Sequence, residues 1–242
     1  MNAIWLERMS DYQHSDVAIT SASHIINHKV SREHALLRHF RKTAIPSMAS
    51  PADIASTTAL LLFEARSAKS FWNIFKELLP AHTKFPGRTP DGADPVNKLL
   101  DIGFHHITNI VKKYLTERDV SCALGLIHRA RSSTSAPLAY DLVELFRADT
   151  VDSEVLRFFR LKKKPLASVD DEIAHFLYEL NQRLEARHYI STFKQCHTYE
   201  YYIELQILHF IRAVNHNEVF VPLMLPDRHD SRCLTHAEEV VV

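Results

Sequence analysis

Only four glycines occur in this chain of 242 residues, and that scarcity narrows the folds open to it. A β-rich fold needs many tight turns, and glycine supplies the positive φ values those turns use, so a glycine-poor chain favours long helices. Two of the four, Gly87 and Gly92, fall in FPGRTPDGADP, residues 85–95, a loop dense in proline and glycine. On either side apolar residues recur at helical spacing. Val17, Ile25, Ile26, Val30, Leu36, Leu37 and Phe40 predict a helix from about 15 to 42. Ser50-Pro51-Ala52-Asp53 reads as the start of a second, with a serine N-cap, proline at the first position and an acid three residues after the cap. It runs to Leu79, where Pro80 stops it. Asp94-Pro95 caps a third helix reaching Thr116, and further helices are expected at 137–147, 150–162, 169–188 and 198–215. The fold class is therefore all-α, a multi-helix domain over residues 15–225. Residues 1–14 read as a frayed linker, VFVPLML (219–225) as an extended strap, and 226–242 as a mobile polar tail.

Charge and cysteine content exclude some function classes. Lys+Arg 29 against Asp+Glu 29 gives a formal net charge of zero, so no general attraction to polyanions operates and any such binding must be local. Cys122, Cys196 and Cys233 are odd in number and widely spaced, which gives no disulfide framework and fits a reducing compartment. No signal peptide opens the chain and no apolar run is long enough to span a bilayer, so a cytoplasmic location is expected.

The chemistry-bearing residues gather in few places. In GLIHRARSSTSAPLAYDLVELFR (125–147), Leu138, Leu142, Leu145 and Phe146 form an apolar helical stripe, with Asp141 at its edge and Glu144 one turn on. Two neighbouring carboxylates repel when both are ionised, so a basic side chain, a shared proton or a divalent cation must compensate. A salt bridge to Arg131 or Arg147 is the plain account, and His128 alone is more often a hydrogen-bonded histidine than a ligand. Glu64 similarly interrupts the apolar helix ALLLFEARSAKSFWNIF, either as an ordinary helix pair or as a further oxygen ligand. His24 and His28 share a helix face without the glutamate of a zinc-protease motif, and a solvated face is expected. HKVSREHALLRHFRK carries Lys29, Arg32, Arg38, Arg41 and Lys42 against one acid, Glu33. RFFRLKKK carries Arg157, Arg160, Lys162, Lys163 and Lys164 with none. Each is a solvated face or a phosphate track, and in the second Phe158-Phe159 could anchor the helix.

Taken in order, FEARSAKSFW (63–72), FPGR with DPVNKLL (85–100), ALGLIHRAR (123–131) and LAYDLVELFR (138–147) resemble the spacer-acquisition integrases of CRISPR systems, the Cas-one family. ITSASHIINHKV (19–30) resembles that family's helix after its N-terminal domain, and YYIELQILHFIRAV with VFVPLML its C-terminal end. Carried over residue by residue, the resemblance places the family's metal glutamate on Glu64, its metal histidine on His128 and its metal acid on Glu144. Asp141 matches a second acid that supports the site. Some members carry aspartate at position 144. The family ordinarily opens with a β-rich domain, of which residues 1–14 would be a residual linker; the homodimer contact made by that domain is not carried over.

The resemblance implies a metal-dependent DNA endonuclease and integrase using Mg²⁺ or Mn²⁺. The 3′-hydroxyl of a short DNA fragment attacks a phosphodiester at the repeat end of a CRISPR array, and water in its place gives nicking of branched DNA. Arg66, Lys69, Arg129 and Arg131 lie near the ligands in sequence and could contact the flanking phosphates, with Lys162, Lys163 and Lys164 holding DNA further out. The family works with a small partner, Cas-two. Two alternatives stand beside this reading: a non-catalytic DNA-binding or scaffold fragment of such an integrase, and a transposon-borne relative.

Overall fold

The computed structural model describes residues 3–41, 56–130, 132, 135–161, 168–190 and 193–223. Among them lie eight α-helices and one two-stranded hairpin, so the mostly α-helical class holds. The hairpin is the departure: β1 (Arg187–Ile190) pairs antiparallel with β2 (Gln195–Thr198). The helix before it, α7 (Val169–Glu185), ends at Ala186, whose ψ of 134° turns the chain out of the helical region, short of the end expected from sequence.

A second departure lies at the start. Residues expected as frayed linker form α1 (Ala3–His14), with Trp5, Met9 and Tyr12 buried at i, i+4 and i+7. Its contacts are long-range. Trp5 Nε1 donates to Ser121 O at 3.1 Å, and the Tyr12 hydroxyl donates to Glu218 O at 2.9 Å and bonds Ser21 Oγ at 2.7 Å.

Helix α2 (Val17–Arg41) runs through the molecule, burying Ile25, Ile26, Val30, Leu36 and Leu37 together with two charged residues, Lys29 and Glu33. Helix α3 (Thr57–Leu78) is described from its N-cap, Ser56, whose side-chain oxygen accepts from Ala59 N at 3.2 Å; the start expected at Ser50–Asp53 lies outside the described residues. Leu60 is buried while Leu61 and Leu62 are exposed, so the helix expected to be apolar is amphipathic, with part of its leucine run facing outward. Helix α4 (Pro95–Glu117) begins as its sequence dictates: Asp94 Oδ1 accepts from Val96 N at 3.1 Å and Asn97 N at 3.0 Å, with Pro95 at the first position.

From Pro137 the backbone runs through α5 (Pro137–Val143), a turn to Arg147, a π-helical turn over Ala148–Asp152, and α6 (Ser153–Leu161). Leu138, Leu142, Leu145, Phe146, Val151 and Val155 along this path are all buried. Such π turns re-aim side chains within a helix and occur often at functional sites. Helix α4 passes very close to it: a Cβ at Gly103 would stand 2.5 Å from Val151 Cγ1. Phe158 and Phe159 are buried and pack edge-to-face, anchoring α6 as anticipated. Helix α8 (Tyr199–His216) closes the core with Tyr202, Ile203, Ile207 and Phe210, and Asn217 at φ 53° caps its end. Residues 218–223 return without regular structure: Phe220 is buried and its N–H donates to Ser21 Oγ at 2.9 Å, while Leu223 N donates to Gln206 Oε1 at 3.0 Å. The tail at 226–242 lies outside the described residues. Among them, no helix is long and apolar enough to cross a membrane.

Candidate active site

His128 lies in the irregular segment between α4 and α5, and its position is set by one carboxylate. Asp141, on α5, is completely buried. Its Oδ2 accepts from Leu126 N at 2.5 Å and Ile127 N at 3.1 Å, and its Oδ1 accepts from His128 N at 2.8 Å and the His128 ring Nδ1 at 2.7 Å. Three backbone N–H groups and the His128 ring nitrogen thus converge on one buried carboxylate. The close approach depends on Gly125, where a Cβ would meet Asp141 Oδ2 at 2.6 Å and the Pro137 carbonyl carbon at 2.8 Å. With Nδ1 committed to Asp141, Nε2 is the ring nitrogen left for a ligand. Burial alone would lower the imidazole pKa, but the Asp141 hydrogen bond and the charges of Asp141 and Glu144 raise it above its ordinary value. Asp141 is thus no residue of a stripe's edge but the buried post on which the His128 segment hangs.

The two glutamates meet elsewhere in this region. Glu64 on α3 and Glu144 at the end of α5 both bond the Lys29 ammonium of α2, Glu64 Oε1 at 2.5 Å and Glu144 Oε2 at 2.8 Å. A small apolar cluster beside them holds the elements together: Ala22, Ile26 and Val30 of α2 and Leu60 of α3, with Phe63, Leu126 and Ile127 packed against them. It joins the segment leading to His128 to the helices carrying Lys29 and Glu64. Arg147 adds a second cation, its Nη1 standing 3.2 Å from Glu144 Oε1 while its guanidinium lies over the Phe104 ring at 4.5 Å. Burial would raise the Glu144 pKa, but Lys29 and Arg147 hold it down to about 2.

Behind these residues the charge is less well matched. Asp152, on the π turn, is fully buried, its two carboxylate oxygens lack hydrogen-bond partners among the described residues, and Arg147 Nε stands 3.6 Å away. Burial, only partly offset by Arg147, raises its pKa to about 6. Glu33, one turn beyond Lys29 on α2, is 1% exposed with Oε1 unpartnered among the described residues, and burial raises its pKa to about 7 against the pull of Lys29 and Arg147. Arg32 turns away to a two-pronged pair with Asp149, at 2.7 and 2.8 Å. The basic run of α2 is therefore neither a solvated face nor a phosphate track where Lys29 and Arg32 stand. His28 is half-buried with Nε2 unpartnered among the described residues, and His24 Nδ1 bonds Phe220 O at 3.0 Å, so the expected solvated face for this pair is corrected too.

Of the expected site residues, the structure brings Glu64 and Glu144 onto one cation and Asp141 onto His128. Among the described residues no group of three or more histidine, cysteine, aspartate or glutamate side chains stands close enough to hold a metal ion. The facing oxygens of Glu64 and Glu144 are engaged by Lys29 instead. Arg66 and Lys69 are exposed on α3, and Arg129 is exposed next to His128. Arg131, Lys162, Lys163 and Lys164 lie outside the described residues. Arg147 emerges as the salt-bridge partner that charge alone suggested, whereas the central place of Lys29, with Glu33 and Asp152 behind it, carried no local signal in the sequence.

A family model described as CRISPR associated protein Cas1 matches residues 2–179, a span that includes α1. A relative from Saccharolobus solfataricus, CRISPR-associated endonuclease Cas1 1, is 26% identical over 169 residues, which cover 65% of this chain and 47% of the relative. The chain thus spans about half the length of that curated relative. Among solved structures, a casposase bound to integration product superposes with a TM-score of 0.75 at 18% identity, covering 97% of this chain and 73% of that one. A chain of a complex titled Cas6-RT-Cas1–Cas2 superposes with a TM-score of 0.70 at 16% identity, covering 92% of this chain and 26% of the other. At these identities the structural likeness establishes the fold.

Proposed function

The chain belongs to the CRISPR-associated Cas1 family, and we propose that it acts as a metal-dependent DNA endonuclease and integrase, joining 3′-hydroxyl ends of short DNA fragments to a CRISPR array. The observation that carries this reading is the convergence of Glu64 and Glu144, from separate helices, on a single buried cation. Two carboxylates aimed at one positive charge, with an imidazole oriented by a buried aspartate, are the donor types that suit Mg²⁺ or Mn²⁺, and they must draw closer than they stand here to hold the ion together. Glu64, Glu144 and His128, through Nε2, would hold the ion. When bound, it supplies Lewis-acid neutralisation of the attacked phosphate and of the leaving oxygen.

The chain's own side chains do the rest. Asp141 holds the His128 ring in one tautomer and orientation, and Arg147 keeps Glu144 ionised and in place. Arg66, Lys69 and Arg129, all exposed, contact phosphates flanking the reacting one. Arg131, Lys162, Lys163 and Lys164, outside the described residues, join them as DNA contacts on the strength of their charge in the sequence alone. The reacting unit is residues 15–225, to which α1 adds three core side chains. A Cas2-like partner is supported by the fold shared with a chain of the Cas1–Cas2 complex.

The test is Mn²⁺- or Mg²⁺-dependent nicking of branched DNA and joining of a DNA fragment to a repeat-bearing plasmid, with and without the small partner. Glu64→Ala, His128→Ala and Glu144→Ala should each abolish joining in a folded protein. Full activity in His128→Ala protein refutes the assigned site. Salt-sensitive DNA binding without any metal-dependent cleavage identifies a non-catalytic scaffold instead.

A further inference from the structure

Lys29 stands where the function proposed above needs a divalent ion. Its ammonium is buried, 2.5 Å from Glu64 Oε1 and 2.8 Å from Glu144 Oε2, and so engages one oxygen of each carboxylate that would ligate a metal. A monovalent ammonium and a divalent ion bonded to these same oxygens would lie within a few ångström of each other and repel, so the two compete for them. Yet a buried lysine cannot simply be pushed out, since an unpaired ammonium in the interior is strongly disfavoured.

Helix α2 holds a second seat for it. Glu33 is one turn beyond Lys29 on the same helix, the spacing at which a lysine and a glutamate side chain can meet. It is 1% exposed and its Oε1 has no hydrogen-bond partner among the described residues. A buried, unsatisfied carboxylate oxygen within reach of a buried lysine is an acceptor that costs free energy while it stays empty.

We propose that Lys29 is a displaceable internal cation: it pins Glu64 to Glu144 while no metal is bound, and moves to Glu33 when a divalent ion takes the two glutamates. It is a positioning residue and not a ligand. It prevents the two carboxylates from repelling each other apart before the ion arrives, and it makes the ion compete for its place. This rests on Glu64 and Glu144 being metal ligands.

The test uses the full chain and free Mn²⁺, read by its electron paramagnetic resonance signal, with thermal melting in chelator as a second readout. Lys29→Met keeps the length of the side chain and removes the charge. The expected result is Mn²⁺ affinity roughly tenfold tighter or more, the gain when a state populated at ~10% or less no longer has to be reached first. The same variant should melt lower than the parent in chelator and recover on adding Mn²⁺. Glu33→Gln, which removes the second seat but leaves Lys29 in place, should weaken Mn²⁺ affinity while melting in chelator is unchanged or improved. Lysine that served only to support the structure would predict lower stability without tighter metal binding.

Equal or weaker Mn²⁺ affinity in Lys29→Met overturns the inference, and if that variant does not fold, equal affinity in Glu33→Gln does so. Mn²⁺ binding that persists at parental affinity in Glu64→Ala and Glu144→Ala refutes the metal site itself, an outcome separable from the first. Binding by Lys29→Met where the parent binds nothing supports the inference in its strongest form.

Discussion

Asp141 shows how one buried side chain can fix both a chain segment and the ring it carries. It accepts four hydrogen bonds, three from consecutive backbone N–H groups and one from the ring it orients. Asp141→Asn replaces one acceptor oxygen with an amide that can only donate, so at least one buried N–H loses its partner, at a cost of roughly 1–3 kcal/mol. The ring then loses its fixed tautomer, and Mn²⁺ affinity should fall about 10–100-fold, the usual effect of removing the group that orients a ligating histidine. Chemical denaturation and Mn²⁺ titration of the same preparation check both parts; a variant with parental metal affinity means that Nδ1 orientation is irrelevant. Glu33 carries a prediction of a different kind. Its pKa is raised from 4.5 unfolded to about 7 folded, first by burial and then by Asp152 and Glu144, against Lys29 and Arg147. The folded protein therefore holds a proton that the unfolded chain releases across this window. The resulting stabilisation is present below pH 4.5 and is lost as pH rises through about 7. Between pH 5 and pH 8 the stability from this group should drop by up to about 3 kcal/mol, and Glu33→Gln should flatten that part of the profile. Urea midpoints at the two pH values measure it, and identical slopes in parent and variant would contradict it.

Elements meet in this protein through a few close approaches that a helix pattern does not announce. Helix α4 presents Gly103 to the π turn, where a Cβ would lie 2.5 Å from Val151 Cγ1 and 3.3 Å from the Phe176 ring. The first distance is too short for any alanine, so Gly103→Ala must push the π turn away from α4. That turn carries Asp149 and Asp152 and follows directly on Glu144 and Arg147, so the shift reaches the charged cluster. Overpacking of this kind costs typically ~1–3 kcal/mol. The diagnostic variant is the double Gly103→Ala, Val151→Ala, which trims the clashing methyl groups. It should be more stable than the sum of the two single changes predicts, by about 1 kcal/mol or more of coupling in a double-mutant cycle. Additivity of the two would show that the π turn yields freely and that the contact does not fix its position.

At the scale of the whole molecule, what was legible in the sequence follows the range of the interaction involved. Asp94-Pro95 announces the start of α4 because a cap needs only residues within one turn. Glu64, His128, Asp141 and Glu144 stood out as charges in apolar surroundings and through a family resemblance. The burial of Lys29 and Glu33 was not legible, because in HKVSREH they look like one more solvated helix face. What buries Lys29 is a pair of carboxylates on two other segments. Helix α1 was missed for the same reason: its three apolar residues are sparse, and their value comes from distant partners. Trp5 reaches Ser121, Gln13 Nε2 donates to Gly125 O at 2.5 Å, and Tyr12 ties Ser21 to Glu218. Two of these contacts fall on the segment that carries His128, so α1 braces the site as well as the core. If residues 1–14 are a linker, removing them should be harmless. If they are structural, deletion exposes the surfaces that Trp5, Met9 and Tyr12 cover, each worth ~1.5–3 kcal/mol, against a total stability of about 5–15 kcal/mol for a typical domain. The deletion should therefore abolish cooperative melting or lower the midpoint by more than 10 °C at the ~2–4 °C per kcal/mol expected of a domain this size. Gln13→Ala separates bracing from folding: the fold and its melting should survive, while Mn²⁺-dependent joining falls several-fold because Gly125 and the segment after it are less firmly held. A deletion variant that melts with the full chain, or a Gln13→Ala protein that joins DNA at the parental rate, removes α1 from the account of the site.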